Sequence, residues 1–365
     1  MPNPPTHLPN RRIPRRISPR AVVLATACAS LAACVEPRPR DADFTRAERL
    51  EALLTTLAAD SMEGRRTGTE GAHRAARFLA AELERYGVEA AGTEGYLQPV
   101  PLARVDVAAA NGPSQRLALP SEALDFDTLP PESIVDTEAN VVGIIRGSDP
   151  SVAGEAIVIG AHYDHVGIGE SIDGDSIYNG ADDDGSGTVA ILEIARALAA
   201  SPAPRRTVVV LLSTAEEIGL LGTRWYIEDP VVPMERTVAN LQIEMIGRPD
   251  PEAGGHGRGW LTGYERTTVG DQLAAAGSPI VPDPRPEQDF FFRSDNIAFA
   301  RIGIPAHTLS SYGMHTDYHR PSDEVELVDF DHMAALVDAA LEAVRFLADG
   351  PRPEWKEDGR LGLMN

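Results

Sequence analysis

Apolar residues recur at helical spacing between Phe44 and Ala59, through Leu50, Leu53, Leu54 and Leu57, and the pattern predicts a helix there. A polar stretch, DSMEGRRTGTEG, separates it from a second helical pattern over 72–86 that stops at Gly87. Residues 95–150 read as short strands and Pro-rich loops. Beyond them the pattern alternates. EAIVIGAHYD (155–164) reads as a strand, and 186–199 as a helix with Val189, Leu192, Ala195 and Leu198 near one face. RTVVVLLSTAEE (206–217) is an unbroken apolar run feeding into acids, which is how a strand buried on both faces reads. TVANLQIEMIG (237–247) and GIPAHTLSS (303–311) read as further strands, and 330–349 as a long closing helix. Strands alternating with helices predict an α/β fold, a three-layer α/β/α sandwich around a mixed, mostly parallel sheet.

The first 33 residues do not fit that pattern. They hold five arginines and no acid, followed by the apolar run AVVLATACASLAAC, too short to span a bilayer as a mature helix. This predicts a signal peptide over 1–33. Its end, Leu31-Ala32-Ala33-Cys34, resembles a bacterial lipobox, and that resemblance implies a lipidated N-terminus at Cys34. A plain signal peptide cut nearby and a twin-arginine export signal are the alternatives. Residues 34–43 read as a tether, 44–350 as one domain and 351–365 as a C-terminal tail. The expected location is the cell envelope or the exterior, with membrane contact only through the lipid.

Two further facts narrow the chemistry. Asp+Glu is 55 against Lys+Arg 33, a net charge of −22, so nucleic acid and anionic membrane surfaces are poor partners. The only cysteines are Cys28 and Cys34, so the mature fold has no disulfide, and any metal is held by His and carboxylates.

The acids and histidines fall where strands are expected to end, the edge at which open α/β sheets bind ligands. His162 and Asp164 alternate along an extended segment, so they share a face, although a lone H-x-D is also an ordinary solvated strand end. Glu216 and Glu217 are adjacent and point apart, leaving one free to ligate while the other faces water; a surface turn is the alternative. Glu244 stands in an apolar strand and needs a partner, a metal or a salt bridge. His315 and His319 are spaced to ligate together on a helix, whereas in a loop only one would. In YNGADDDGSGTVAILE, three aspartates precede Gly-Ser-Gly. Counted from Asp182, the spacing to Asp184, Ser186, Gly187 and Glu193 fits an EF-hand calcium loop, but no helix precedes it and no second loop exists.

Taken together, GAHYDH, NGADDDGSG, TAEEIGLLG, EMIGR, SDNIAFARIGIPA and YHRPSDE resemble the co-catalytic zinc aminopeptidase family, as does SMEGRRTGTEGAHRAARFLAAEL upstream. That family includes bacterial leucyl aminopeptidases, glutamate carboxypeptidase II, glutaminyl cyclases and the transferrin receptor. The resemblance covers roughly 45–350 and rests on no single motif. It implies two Zn2+ ions bridged by Asp183, with His162 and Glu244 completing one site and Glu217 and His319 the other. By the same resemblance Asp164 orients His162, Glu216 is the general base, and Tyr318 hydrogen-bonds the tetrahedral intermediate. Asp182 and Asp184 are then not ligands, and Ser186 is a plausible cap for the following helix. Many members carry Asp where this chain has Glu244, which leaves His315 as a substitute ligand. The implied function is a metallo-aminopeptidase acting on peptides. Alternatives on the same fold are a one-zinc glutaminyl cyclase-like acyltransferase and an inactive binding protein. A carboxypeptidase would want an arginine cluster for its substrate's carboxylates, and the sequence places none.

Overall fold

A computed structural model of the chain describes residues 44–109, 112–121, 124–135 and 137–363. The expected signal peptide, lipobox and tether over 1–43 lie outside the described residues. Two helices lead in, α1 (Arg46–Leu57) and α2 (Glu70–Arg85). The leucines of the first periodic pattern are the buried residues of α1, and Thr45 with Glu48 closes its N-terminus in a capping box. Short strands follow: β1 (Glu89–Ala90), β2 (Leu97–Pro99), β3 (Leu102–Ala109), β4 (Gly112–Ala118) and β5 (Ile134–Val135). The alternating half comprises β6 (Ala139–Ile145), β7 (Ala156–His162), β8 (Gly167–Ile172), β9 (Asp175–Tyr178), α3 (Gly187–Ala199), β10 (Thr207–Ser213) and α4 (Leu221–Glu228). Then come β11 (Thr237–Ile243), β12 (Gly259–Leu261), α5 (Thr268–Ala275), β13 (Ile280–Pro282), α6 (Asn296–Arg301), β14 (Ala306–Ser310) and α7 (Phe330–Asp349).

The large sheet has nine strands in the order β1-β6-β10-β7-β11-β14-β12-β13, with β2 paired to β6. Its four central strands, β10, β7, β11 and β14, run parallel; β6 and β12 join them antiparallel. Ile157, Ile159, Val208, Val210 and Leu212 pack toward α1, α2, α3 and α7. Their neighbours Val158, Val209 and Leu211 face the other way, against Tyr226 of α4 and Phe299 of α6. Both faces are covered, and a strand covered on both faces reads as continuous apolar sequence. Two small sheets stand apart from this sandwich, the hairpin β8-β9 and the three strands β4-β3-β5. The C-terminal segment joins the domain: Trp355 Nε1 donates to the Gly303 carbonyl at 2.8 Å and Leu363 is buried. Among the described residues no helix is long and apolar enough to cross a membrane.

One buried residue of β14 makes stability depend on pH. His307 Nδ1 lies 2.7 Å from the Thr262 carbonyl and Nε2 2.7 Å from the Thr267 hydroxyl, a setting for a neutral ring. Burial holds its pKa down to about 4 from 6.5. Between those values the unfolded chain binds a proton that the folded chain refuses, so stability falls as pH drops through the window. The expected contribution is about 3 kcal/mol. Urea unfolding at pH 6.5 and pH 4 should show a smaller acid-induced loss in His307→Asn than in the wild type, and equal losses would exclude His307 as the source.

Candidate metal centre

The four parallel strands end on one edge, and the chain beyond each end carries polar side chains. His162 closes β7, with Asp164 and His165 just past it; Glu216 and Glu217 follow β10; Glu244 follows β11; Tyr318 and His319 follow β14. The sequence predicts strands running on to Glu217 and Gly247. They stop instead at Ser213 and Ile243: Glu244 N still reaches the Leu309 carbonyl of β14 at 3.0 Å, but Thr214 N donates to Asn140 Oδ1 at 3.2 Å, and farther along both segments N–H groups turn to side chains. Glu216 N donates to Asp164 Oδ1 at 3.0 Å. Met245 N donates to Asp184 Oδ1 at 3.0 Å, Ile246 N to Ser186 Oγ at 2.9 Å and Gly247 N to Asp182 Oδ1 at 2.7 Å.

Those bonds sort the three aspartates. Asp182 and Asp184 are buried and occupied by backbone donors, and Asp184 Oδ1 also accepts from Gly187 N at 3.0 Å. Asp184 therefore caps the start of α3. Ser186, expected in that role, instead donates to the Asp182 carbonyl at 2.8 Å. Asp183 makes its hydrogen bond through its backbone N–H, to Asp323 Oδ2 at 3.1 Å. Its carboxylate faces the histidines: Oδ1 lies 3.5 Å from His162 Nε2, and Oδ2 lies 3.1 Å from His319 Nε2 and 3.7 Å from His165 Nδ1. The Asp183–Asp184 peptide bond is cis. The loop packs tightly on β11, since a Cβ at Gly187 would sit 2.1 Å from the Ile243 carbonyl oxygen.

Two groups of possible ligands form around that carboxylate. His162, Asp183 and Glu244 make one; His165, Asp183, Glu217 and His319 make the other, with the ligand atoms of each group within 4.8 Å of one another. His162 Nε2, Asp183 Oδ2, Glu244 Oε2 and His319 Nε2 are buried without a hydrogen-bond partner. Orphaned buried polar atoms are costly, and donors crowded at 3.1 Å without hydrogen-bond geometry are what a shared cation gathers. Imidazole with carboxylate, and no thiolate, is a donor set suited to zinc.

The electrostatics follow from burial and from this crowding. Burial opposes charge on His319, but the Asp183 and Glu217 carboxylates overcome it and push its pKa up to about 10. Burial likewise opposes charge on Glu217, yet the His165 and His319 rings beside it bring it below the usual carboxylate range. Burial raises Glu244 to about 7 against the pull of His162. Glu216 belongs to neither group; its Oε2 lies 3.9 Å from His162 Nε2. Burial, with Glu244, Asp295 and Glu217 nearby, raises its pKa well above the ordinary value despite His162.

The surrounding residues take the following positions. His162 Nδ1 lies 3.1 Å from the carbonyl oxygen of Asp164, and the Asp164 carboxylate stands farther off at 3.7 Å. That carboxylate instead accepts from Thr67 Oγ1 at 3.1 Å and from the N–H groups of Glu216 and Glu217. Tyr318 stacks on His319, ring centroids 4.0 Å apart, and burial among Asp183 and Glu217 raises its pKa. His315 is not in either group; its Nε2 lies 2.9 Å from Asp182 Oδ2. Glu193, which an EF-hand would need, is bound to Arg46, Arg49 and Arg196.

Three residues escape the sequence reading. His165 is buried with Nδ1 2.9 Å from Glu217 Oε1; its signal was a second histidine three residues after His162. Asp323 Oδ2 accepts the N–H groups of both Asp182 and Asp183, and its other oxygen binds Arg248 at 3.0 Å. Arg65, fully buried, donates to the carbonyls of Leu57, Tyr163, Asn179 and Gly180, pinning β7's exit and the aspartate loop together.

Two cavities flank the groups. One, of about 50 Å³, lies beside Glu244 and is walled by Trp260, Phe290, Tyr312 and Tyr318. The other, of about 690 Å³, opens on the side of His165, Glu217 and His319.

Comparison with known proteins gives the family and the fold. The sequence model of "Peptidase family M28" matches residues 140–344. The chain is 30% identical over 190 residues to a probable lipoprotein aminopeptidase, LpqL, of Mycobacterium tuberculosis, covering 46% of this chain and 34% of that protein. It is 29% identical over 222 residues to leucine aminopeptidase 1 of Penicillium rubens, covering 55% of each. The chain thus spans only about a third to a half of these relatives' length. Among solved structures it resembles a zinc aminopeptidase from Bacillus subtilis, with TM-score 0.59, 14% identity, and 84% and 96% of the two chains covered. It also resembles Porphyromonas gingivalis glutaminyl cyclase, with TM-score 0.55, 16% identity, and 82% and 97% covered. At these identities the structural likenesses speak to the fold.

Proposed function

The chain belongs to peptidase family M28, and on that premise we propose that it is an exported zinc aminopeptidase that releases N-terminal residues from peptides at a two-ion site bridged by Asp183. The observation that carries this reading is the Asp183 carboxylate itself: Oδ1 turned to His162 and Oδ2 to His319, with two ligand groups meeting at one residue. His162 and Glu244 would hold one ion, and Glu217 and His319 the other. Zinc bound there supplies Lewis acidity to the scissile carbonyl and lowers the pKa of water.

The remaining work falls to side chains. Glu216 takes a proton from the attacking water and returns it to the leaving amine, and a raised pKa suits both steps. The Tyr318 phenol, kept protonated by burial, has a hydrogen to donate where negative charge develops on the carbonyl oxygen. Asp164 holds the Glu216 and Glu217 backbone in register with His162, and His165 orients Glu217. The small aromatic cavity beside Glu244 takes the side chain of the N-terminal residue, and the larger one the leaving peptide. The leader ending at Cys34 gives the route out of the cell and a lipid tether.

The fold is shared with a glutaminyl cyclase, and the alternative reading is cyclisation of an N-terminal Gln in place of hydrolysis. A one-ion cyclase would use one ligand group and leave the other idle. The expected results are two zinc ions per chain by elemental analysis, and leucyl-p-nitroanilide hydrolysis abolished by a chelator and restored by zinc. One ion per chain with pyroglutamate formed from a Gln-initiated peptide would establish the cyclase instead. No turnover of either substrate with zinc present would leave a binding protein.

A further inference from the structure

The large cavity beside His165, Glu217 and His319 has an opposite wall of positive charge. Arg66, Arg104 and Arg116 line it. Among the described residues none of the three makes an ion pair or a side-chain hydrogen bond, in a chain whose net charge is −22. Many of this protein's other arginines are engaged: Arg46 and Arg49 with Glu193, Arg206 with Glu155, Arg248 with Asp317 and Asp323, Arg285 with Asp250. What sets Arg66, Arg104 and Arg116 apart from other arginines unpaired among the described residues, such as Arg77 and Arg224, is that they line this one cavity.

The arginines come from two separate parts of the fold. Arg66 lies in the turn before α2, and its stem packs on Gly167, where a Cβ would sit 2.4 Å from Arg66 Cβ. The same turn is anchored to the candidate centre, through Thr67 Oγ1 on Asp164 at 3.1 Å and Gly68 N on Glu138 at 2.7 Å. Arg104 comes from β3 and reaches that turn: its Nη2 lies 3.6 Å from where a Cβ of Gly68 would stand. Arg116 stands on the edge strand β4, paired with Val105. The nearest acid of this hairpin, Asp106, accepts from Gln115 at 3.0 Å rather than from an arginine. Strands β3 and β4 fall before the family-matched segment, which begins at residue 140.

Unpaired arginines lining one cavity are a recognition surface for a planar anion, because each guanidinium offers a fork of donors matched to a carboxylate. Arg104 pairs across the hairpin with Leu117 and Arg116 with Val105, so the two leave opposite faces, and it is Arg104 that joins Arg66 at the turn before α2. Their placement says which anion. If the N-terminal residue sits beside Glu244, the leaving peptide runs into the large cavity and its far end meets the arginines. A volume near 690 Å³ is that of a small-ligand pocket, which suits a short peptide. We infer that Arg66 and Arg104, with Arg116 at the rim, form a carboxylate-binding subsite for the leaving portion of the substrate, so that the enzyme favours short peptides ending in a free carboxylate. The inference rests on the peptidase reading for its direction along the substrate.

Three dipeptides test it: Leu-Gly with a free carboxylate, Leu-Glu-amide with an acidic side chain, and the neutral Leu-Gln-amide. The wild type is expected to cleave Leu-Gly with kcat/KM about tenfold above Leu-Gln-amide, carried by KM, as charge-assisted bonds of this kind provide. In Arg66→Gln/Arg104→Gln that preference should vanish while Leu-Gln-amide turnover is unchanged, which also shows that the variant folds. A preference for Leu-Glu-amide over Leu-Gly would move the recognised carboxylate from the chain terminus to a side chain, overturning the free-terminus assignment. Equal rates on acid and amide in the wild type, or an equal loss on both in the variant, would overturn the subsite. Calorimetric titration of the Glu216→Ala protein with Leu-Gly and Leu-Gln-amide reads binding without turnover. Acid-selective binding there, with no wild-type turnover of any substrate, would overturn the peptidase reading and uphold the arginine site; equal binding of the two would overturn the site alone.

Discussion

Replacing Glu216 by Ala is expected to leave bound zinc in place and to lower kcat by about two to four orders of magnitude, the usual worth of a positioned general base. Glu216 stands outside both ligand groups, yet its Oε2 is 3.9 Å from His162 Nε2. Its contribution to the loop is made by its backbone, whose N–H binds Asp164 and whose carbonyl accepts from Gly219 and Leu220. Truncating the side chain therefore removes a proton acceptor without unfastening the turn that carries Glu217. Elemental analysis beside steady-state kinetics decides it. A fall in zinc content parallel to the fall in kcat would make Glu216 a ligand rather than a base.

Asp183→Asn is expected to do the reverse and empty the centre. Asparagine is nearly the same shape and keeps the backbone N–H that binds Asp323, so the loop stays tethered. It removes the charge common to both ligand groups. Loss of a partner that only supports a ligand typically costs about 10- to 100-fold in metal affinity, and a shared ligand should cost at least about a hundredfold. The readout is zinc retained after dialysis against a weak chelator. Equal zinc in the Glu216 and Asp183 variants would reverse the roles given to the two residues.

Much of this was legible in the sequence. The parallel core strands announce themselves because burial on both faces leaves no polar interruption, as in Thr207–Ser213. The helices α1 and α7 carry a 3.6-residue apolar period because each buries one face, whereas α3 is buried all round from Gly187 to Ala195 and is apolar almost throughout. The strands β12 and β13 were not legible: three residues in Gly- and Pro-rich surroundings hold no period, and tertiary pairing alone makes them strands. Which of three adjacent aspartates faces the centre could be reached only by resemblance, since the deciding donors, Met245 and Gly247, lie some sixty residues downstream. Asp323 stayed hidden for the same reason, holding distant backbone atoms that no local pattern records. The arginines at 66, 104 and 116 read as unrelated surface charges until the hairpin β3-β4 folds over the turn before α2.

The buried guanidinium of Arg65 sets a lower limit on any excised fragment that is to keep the candidate centre intact. A polypeptide trimmed to the family-matched span would start at residue 140 and still contain every candidate ligand. It would nevertheless leave the carbonyls of Tyr163, Asn179 and Gly180 without their common brace, and Asp164 without the hydroxyl of Thr67. Lysine could not stand in at position 65, because a point-like ammonium lacks the planar fork that reaches several acceptors at once. Recombinant expression boundaries belong upstream of α1, and the matched span is a part of the folded domain rather than the whole of it.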